Sequence, residues 1–376
     1  MSNPASVEDY RKLAKRRLPR AVFDYIDGGA GDERGLARNR DALHRILFGP
    51  RVLVDASARD ASVPFFDGRL PMPFIVGPTG LNGAARPGGD AMLARAAAKA
   101  GIPFVLSTAA TSSIEEIAKA CDGEWWFQLY VMERDFAAAL CRRALDAGCR
   151  TLVLTVDCQI GGRRERDTRN GFVVPFRMKP RFFADCALRP AWALSQLAKG
   201  LPQFGNMAVD NAGDAASQAV LMQRKLDTSF DWEDLARLRQ DWPHRLIVKG
   251  VMRADDARRC FELGVDGVVI SNHGGRQLED MPAPIDILAE VTAPEGRMLM
   301  VDGGFRSGAD IVKALALGAN AVLLGRATLF GMAAAGQDGA SSVIELLHQD
   351  VERTLGLIGC PRAEDLSMDF LRPSPT

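Results

Sequence analysis

Histidine is scarce in this chain: four residues, His44, His244, His273 and His348, spread over 376 positions with no H-E-x-x-H pair. That scatter argues against a zinc site, and no metal is expected. Cysteine pairs are missing too. The seven cysteines form no C-x-x-C and are odd in number, which reads as reduced thiols and not a disulfide framework. Net charge is absent, with 47 basic against 47 acidic residues. A nucleic-acid binder would show a basic domain with interleaved aromatics, so no nucleic-acid partner is expected. No apolar run approaches the roughly 18 residues of a membrane span. The basic stretch Arg11–Arg20 is followed by no apolar segment of the kind a secretory signal needs. A cytosolic or peripheral protein is expected.

What is present is rhythm. With 47% hydrophobic residues the chain can bury a large core. Ser6 with Asp9 resembles a capping box opening a first helix; Leu18-Pro19 ends it, and a second runs to about Asp27 before Gly28, Gly29 and Gly31. From Phe74 onward short apolar runs alternate with longer helical patterns. The runs are Phe74–Val76, Phe104–Ser107, Trp126–Tyr130, Leu152–Val156, Leu246–Lys249, Val268–Ser271, Leu299–Val301 and Ala321–Leu324. Continuous apolar runs of this length suit parallel strands buried on both faces. Gly101, Gly148, Gly264 and Gly318 each stop a helix just before the next run. Eight such units predict an α/β fold, a TIM (β/α)8 barrel over about 74–335 within a single domain, preceded by an N-terminal helical segment. An insertion, about 176–228, follows the fourth strand. Its first part, Phe176 to Phe204, sets Arg177, Lys179, Arg181, Arg189 and Lys199 among Phe182, Phe183, Trp192, Leu194 and Leu197. That composition fits an interfacial segment or an ordinary surface lid.

Barrel active sites gather at the C-terminal ends of the strands. After the sixth run stands Ser271-Asn272-His273-Gly274-Gly275-Arg276-Gln277. A histidine here can take a proton near neutral pH, and an arginine three residues on can grip a carboxylate with two parallel hydrogen bonds. Asp157, ending the fourth run, is placed either to back His273 or to pair with Arg163 or Arg164. After the seventh run Asp302-Gly303-Gly304-Phe305-Arg306-Ser307-Gly308 opens a helix, and Gly325-Arg326 follows the eighth. Helix starts hold anions on their N–H groups, and barrels commonly seat a phosphate between these two loops. Lys249 ends the fifth run. It would stabilise an anion, or form a Schiff base in a non-redox sugar-phosphate barrel; that second reading leaves Asp157, His273 and Arg276 without a joint role.

The turn Ser271–Gln277 resembles the S-N-H-G-G-R-Q motif of the FMN-dependent 2-hydroxy-acid dehydrogenases and oxidases. Further matches are Phe23-Asp24-Tyr25, Gly77-Pro78-Thr79-Gly80-Leu81, Trp126–Tyr130, Leu154-Thr155-Val156-Asp157, Val248-Lys249-Gly250, Asp302–Arg306 and Leu323-Leu324-Gly325-Arg326. They span the chain from Asp9 to about Cys360. The resemblance implies FMN, with Pro78, Thr79, Gly80, Ser107, Gln128, Thr155 and Ser271 along the flavin and Lys249 at its pyrimidine end. It implies Asp302, Gly304, Arg306, Gly325 and Arg326 around ribityl and phosphate. Tyr25, Arg164 and Arg276 would bind the substrate carboxylate, Tyr130 the hydroxyl, and His273 backed by Asp157 would be the base. Within the family the likeness is nearest to the (S)-mandelate dehydrogenases. Gly80, where the oxidases carry alanine, and the place of the insertion belong to that resemblance. It implies an aromatic or bulky (S)-2-hydroxy acid, a membrane quinone or other electron acceptor, peripheral contact with the cytoplasmic face of the inner membrane through about 176–204, and a homotetramer. L-lactate dehydrogenase or an oxygen-using oxidase of the same family is the alternative. Asp157-Cys158-Gln159-Ile160-Gly161 matches no substrate preference.

Overall fold

Each of the eight apolar runs forms a strand, and the strands close on one another. The computed structural model describes residues 4–172, 179–200, 202–207 and 226–373. Among these, the strands Phe74–Val76, Phe104–Ser107, Trp125–Tyr130, Thr151–Thr155, Arg245–Val251, Gly267–Ile270, Met298–Val301 and Ala321–Leu324 pair in sequence order, all parallel, the eighth returning to the first. Their near-continuous apolar character follows from burial on both faces: Phe74, Trp126, Phe127, Val153, Val268 and Val322 are all fully enclosed. The helix Arg134–Asp146 stops as expected at Gly148, whose φ of +88° is left-handed.

The N-terminal helices Val7–Arg17 and Arg20–Asp27 bring Tyr25 to the barrel mouth. Ser6 caps the first by accepting from Asp9 N at 3.2 Å. The two helices are clamped by Arg11, whose Nε and Nη2 donate to the two oxygens of Asp27 at 2.5 and 2.8 Å; Arg166 adds a third contact at 3.1 Å. Burial pushes the Asp27 carboxyl up, but the two guanidinium groups outweigh it and hold it below the usual range. At the other end of the barrel the hairpin Val63–Phe65 and Gly68–Leu70 acts as a plug. Phe65 stacks on Trp126 at 6.1 Å, and Arg245 lies 4.5 Å over the Phe66 ring, both near the starts of their strands.

Between the fourth and fifth strands lie the helices Glu165–Asn170, Pro180–Ala187 and Pro190–Lys199; Trp232–Asp241, with its own Asp231 capping box, then resumes the barrel rhythm. Phe176 and Arg177 fall outside the described residues. Trp192 Nε1 donates to Ala84 O and Gln196 Nε2 to Gly83 O, each at 2.9 Å, pinning one face of Pro190–Lys199 to the short helix Asn82–Ala85 after the first strand. Away from that face Phe183, Leu188, Leu194 and Leu197 are 64 to 80% exposed. Among the described residues no helix is long and apolar enough to cross a membrane. The last long helix, Arg326–Ile358, breaks at Ala335 and Gly336.

Candidate active site

The turn after the sixth strand bends through three consecutive left-handed residues, His273, Gly274 and Gly275, with φ of +56°, +62° and +74°. Histidine has a Cβ, so its place there stores strain of about 1–3 kcal/mol, which persists only where surrounding bonds over-determine it. They do: His273 N donates to Ser271 Oγ at 3.1 Å, Gly275 N to Asn272 Oδ1 at 3.1 Å, and the Asn272 side chain is held by Asn39.

His273 Nδ1 lies 3.1 Å from Asp157 Oδ1. Of the three partners open to Asp157, the structure selects His273: Arg163 faces Glu165, and Arg164 faces Asp167 at 3.4 Å. Burial pushes the Asp157 carboxyl up, yet His273 and Lys249 more than compensate and keep it below the usual carboxylate range. Asp157 fits because Gly250 is opposite: an added Cβ there would lie 2.7 Å from Asp157 Cγ. Gly250 sits at a register shift between the fifth and sixth strands with φ of +106°. Cys158 completes the cluster, its Sγ 3.2 Å from His273 Nδ1 and 3.3 Å from Asp157 Oδ1. Burial, reinforced by Asp157, pushes its thiol well up.

Arg276 and Arg164 share one aromatic ring. Their guanidinium carbons lie 5.1 and 5.6 Å from the Tyr25 centroid, with Phe172 packed on the same ring at 5.1 Å. Arg276 Nη1 donates to Tyr25 O and Gly28 O at 2.8 and 2.9 Å, fixing the fork. Burial, then the neighbouring Arg164 charge, disfavours the Arg276 cation. An anion bound there relieves both. Tyr130 lines the same cavity, and burial keeps its phenol protonated.

These groups open onto a cavity of about 450 Å³ whose wall also carries Pro78, Thr79, Gly80, Gln128 and Thr155. Among the described residues, four buried wall atoms have no partner: Thr79 Oγ1, Gln128 Nε2, Thr155 Oγ1 and Asp302 Oδ1. An unsatisfied buried polar atom costs about 1–3 kcal/mol, so four around one cavity mark the place of a polar ligand. Lys249 Nζ lies 2.8 Å from Asp302 Oδ2 and donates to Ser271 Oγ at 2.8 Å. Burial would lower its pKa, but Asp302 and Asp157 raise it further, so the amine stays charged. A Schiff base needs the neutral amine, which counts against the sugar-phosphate reading. Ser107 and Ser271 stand one layer behind the wall. Ser107 donates to Gln128 Oε1 at 2.9 Å, turning the amide's N–H₂ edge free, and Ser271 aligns Lys249. Beside Gly80 there is little space: an added Cβ would come 3.1 Å from Ala109 Cβ.

At the phosphate end the structure corrects the sequence reading. The helix after the seventh strand, Gly308–Ala316, satisfies its own start. Ser307 and Asp310 form a capping box, and Gly308 N donates to Asp350 Oδ2 at 2.5 Å. No anion site remains at that helix start, because carboxylates already fill it. The helix after the eighth strand begins at Arg326 with Gly325 as N-cap and no side-chain cap. Gly304 and Arg306 line the cavity beside it. Burial pushes the Arg306 guanidinium down to about 10. Arg326 is pushed well down, by burial and then by the Arg276 and Arg306 charges, although it donates to Ile26 O, Gly28 O and Gly274 O at 2.9, 2.7 and 2.9 Å. An arginine stays protonated, so these shifts express an unmet need for negative charge. A planar polar ring system ending in a phosphate, as in FMN, meets both the orphan atoms and the cations.

Asn39, Arg40, Asp27 and Cys158 are absent from the sequence-derived site. Arg40 Nη1 donates to Gly304 O at 2.5 Å and to Asp310 at 2.7 Å, bracing the glycine loop. No local pattern marks Asn39, Arg40 or Asp27, because their partners lie far along the chain; Cys158 stood in view within the unmatched Asp157–Gly161 stretch.

Residues 14–373 match the FMN-dependent dehydrogenase family. The chain is 50% identical over 370 residues to an (S)-mandelate dehydrogenase of Pseudomonas putida, covering 98% of this chain and 94% of that one. It is 40% identical to an L-lactate dehydrogenase of Caulobacter vibrioides, covering 94% of each. Its fold superposes with a TM-score of 0.97 on the crystal structure of a monotopic membrane protein, (S)-mandelate dehydrogenase, at 50% identity and covering 99% of this chain and 100% of that one. The chain belongs to the FMN-dependent dehydrogenases, and it is an FMN-dependent oxidoreductase acting on an (S)-2-hydroxy acid.

Proposed function

We propose that the substrate is (S)-mandelate or a similarly aromatic or bulky (S)-2-hydroxy acid, oxidised to the 2-oxo acid, with a membrane quinone as final acceptor. One observation carries the chemistry: a histidine backed by a buried carboxylate, His273 with Asp157 at 3.1 Å, shares a cavity with the fixed guanidinium of Arg276. The likeness to mandelate dehydrogenase carries the choice of side chain.

Bound FMN supplies a two-electron acceptor for the substrate α-carbon. Arg276, with Nη1 spent on two backbone carbonyls, turns its remaining donors to the carboxylate; Arg164 and the Tyr25 hydroxyl close around the same group. Tyr130, kept protonated, orients the hydroxyl. His273 takes the released proton at Nε2 while Nδ1–H points to Asp157, which holds the tautomer and stabilises the imidazolium. Lys249, held charged by Asp302, stabilises negative charge developing beside it. Pro78, Thr79, Gly80, Gln128 and Thr155, which line the cavity, would lie along the flavin, and Gly304, Arg306, Gly325 and Arg326 would hold its phosphate.

The exposed Phe183, Leu188, Leu194 and Leu197, with Arg181 and Lys199 nearby, support peripheral contact with the cytoplasmic face of the inner membrane, where a quinone is at hand. A homotetramer is proposed from the family likeness. The test is anaerobic bleaching of the yellow holoenzyme by a panel of acids, followed by reoxidation. (S)-Mandelate should bleach it fastest and a short-chain ubiquinone should reoxidise it faster than air. Faster bleaching by L-lactate, or rapid reoxidation by air, would replace this reading with a lactate dehydrogenase or an oxidase.

A further inference from the structure

Cys158 takes no part in the proposed reaction, yet it sits against the base. Its Sγ, His273 Nδ1 and Asp157 Oδ1 form a triangle with sides of 3.1, 3.2 and 3.3 Å. Thiolate, imidazole and carboxylate are the ligand set of tetrahedral zinc. With Zn–N and Zn–O of about 2.0–2.1 Å and Zn–S of about 2.3 Å, one face of such a tetrahedron has edges of roughly 3.3–3.6 Å. The triangle approaches that face with sides about 0.2–0.4 Å short. Because Sγ also lies 3.8 Å from Nε2, over the imidazole face, the ring must turn to bring its Nδ1 lone pair onto the metal. A second observation is independent of the thiol. Among the described residues Asp157 Oδ2 is buried with no partner, and the side chain is only 8% exposed, so negative charge remains after His273 has been served. Lys249, whose charge also acts on Asp157, is already paired with Asp302 at 2.8 Å.

We propose that Asp157, Cys158 and His273 form a site for a thiophilic divalent cation of the Zn²⁺ class, and that its occupation switches the enzyme off reversibly. As the metal–sulfur bond forms, the Cys158 thiol releases its proton to solvent; a bound cation stabilises the thiolate that burial alone disfavours. His273 must present the Nδ1 lone pair to the metal, so its ring proton moves to Nε2. A protonated Nε2 cannot accept the substrate's proton. The carboxylate and thiolate charges balance the dication, and the fourth position is left to water or to the substrate hydroxyl from the cavity. Inhibition therefore comes from capturing the base, with the flavin still in place.

Metal occupancy does not depend on the proposed substrate; the activity readout does. Chelator-treated holoenzyme is titrated with Cd²⁺, following the ultraviolet cadmium–thiolate charge-transfer band, and with Zn²⁺, following turnover of (S)-mandelate. The same titrations are made on Cys158→Ser and Cys158→Ala, each normalised to its own metal-free rate and flavin content. The expected result is one cadmium per chain, inhibition by Zn²⁺ that EDTA reverses, and no band in either variant. The zinc concentration for half-inhibition should rise about 10-fold or more in the variants. No cadmium band in the native enzyme, a band that survives both substitutions, or equal zinc sensitivity in all three proteins would overturn the proposal. Should mandelate prove not to be a substrate, the cadmium band and its loss in the variants still decide it.

Discussion

The side chains of Asn39 and Asn272 exchange two hydrogen bonds, Nδ2 to Oδ1 at 3.0 Å in one direction and 2.8 Å in the other. Both residues are buried. The pair ties the helix Arg34–Arg45 to the turn that holds His273 in its left-handed conformation. Asn39 does not line the cavity; it is a positioning residue.

Asn39→Ala should therefore do two things. It removes one partner from each end of the Asn272 amide, which keeps Gly275 N and Pro282 O, lowering holoenzyme stability by about 0.5–1.5 kcal/mol. It also relaxes the His273 turn, so kcat should fall while KM changes little. Thermal melts and steady-state kinetics on flavin-replete protein measure both, and Asn39→Asp, which keeps the acceptor, should lie between. A lower melting midpoint with unchanged kcat would reduce Asn39 to a purely structural role.

His273→Ala should keep its flavin but slow anaerobic bleaching by about 10²–10⁴-fold, the usual worth of a positioned base. Asp157→Asn should slow it comparably, because an amide no longer selects the Nδ1–H tautomer. The carboxylate also links stability to pH. Its folded pKa lies below the unfolded value, so its contribution is complete above the ordinary carboxylate pKa of about 4 and is lost as pH falls below that, through the folded value. Acid melts of Asp157→Asn should show a shallower decline in that window than the native enzyme.

Arg276→Lys should lower kcat/KM by roughly 10- to 100-fold, equivalent to the 1.5–3 kcal/mol of charge-assisted hydrogen bonds that a point charge cannot replace. The loss should appear mainly in KM, with flavin content intact. An amide of the substrate, lacking the carboxylate, should be nearly indifferent to the substitution in stopped-flow bleaching.

Leu194→Glu combined with Leu197→Glu places two charges on the exposed face of Pro190–Lys199, away from the Trp192 and Gln196 anchors. Each leucine can bury about 1.5–3 kcal/mol of apolar surface in a bilayer interface. Vesicle flotation should show the variant moving from the lipid fraction to the soluble one, with bleaching by substrate retained. Unchanged flotation would remove this face from the membrane reading.

The barrel was legible because its cause is local. A buried parallel strand writes itself as a short apolar run, and a helix end as a glycine, so eight repeats could be counted along the chain. The placement of His273 and Arg276 was legible for a related reason: three residues apart in one glycine-rich turn after a strand, they must reach the same barrel mouth. The bonds of Asn39, Arg40, Asp27 and Asp350 connect residues far apart in the chain, and no periodicity records them.

The sequence by itself thus determined the architecture, the rim on which the chemistry stands, and the residue types available to it. Tertiary structure alone decided the pairings: that Asp157 faces His273 and not Arg163 or Arg164, that Cys158 adjoins both, that Asp310 and Asp350 close one helix start while Gly325 leaves the next open, and that the Trp192 and Gln196 bonds turn Leu194 and Leu197 outward. Local patterns encode which way a residue's own element runs. Which charge meets which is settled only when separate elements pack, because burial then removes water as the alternative partner.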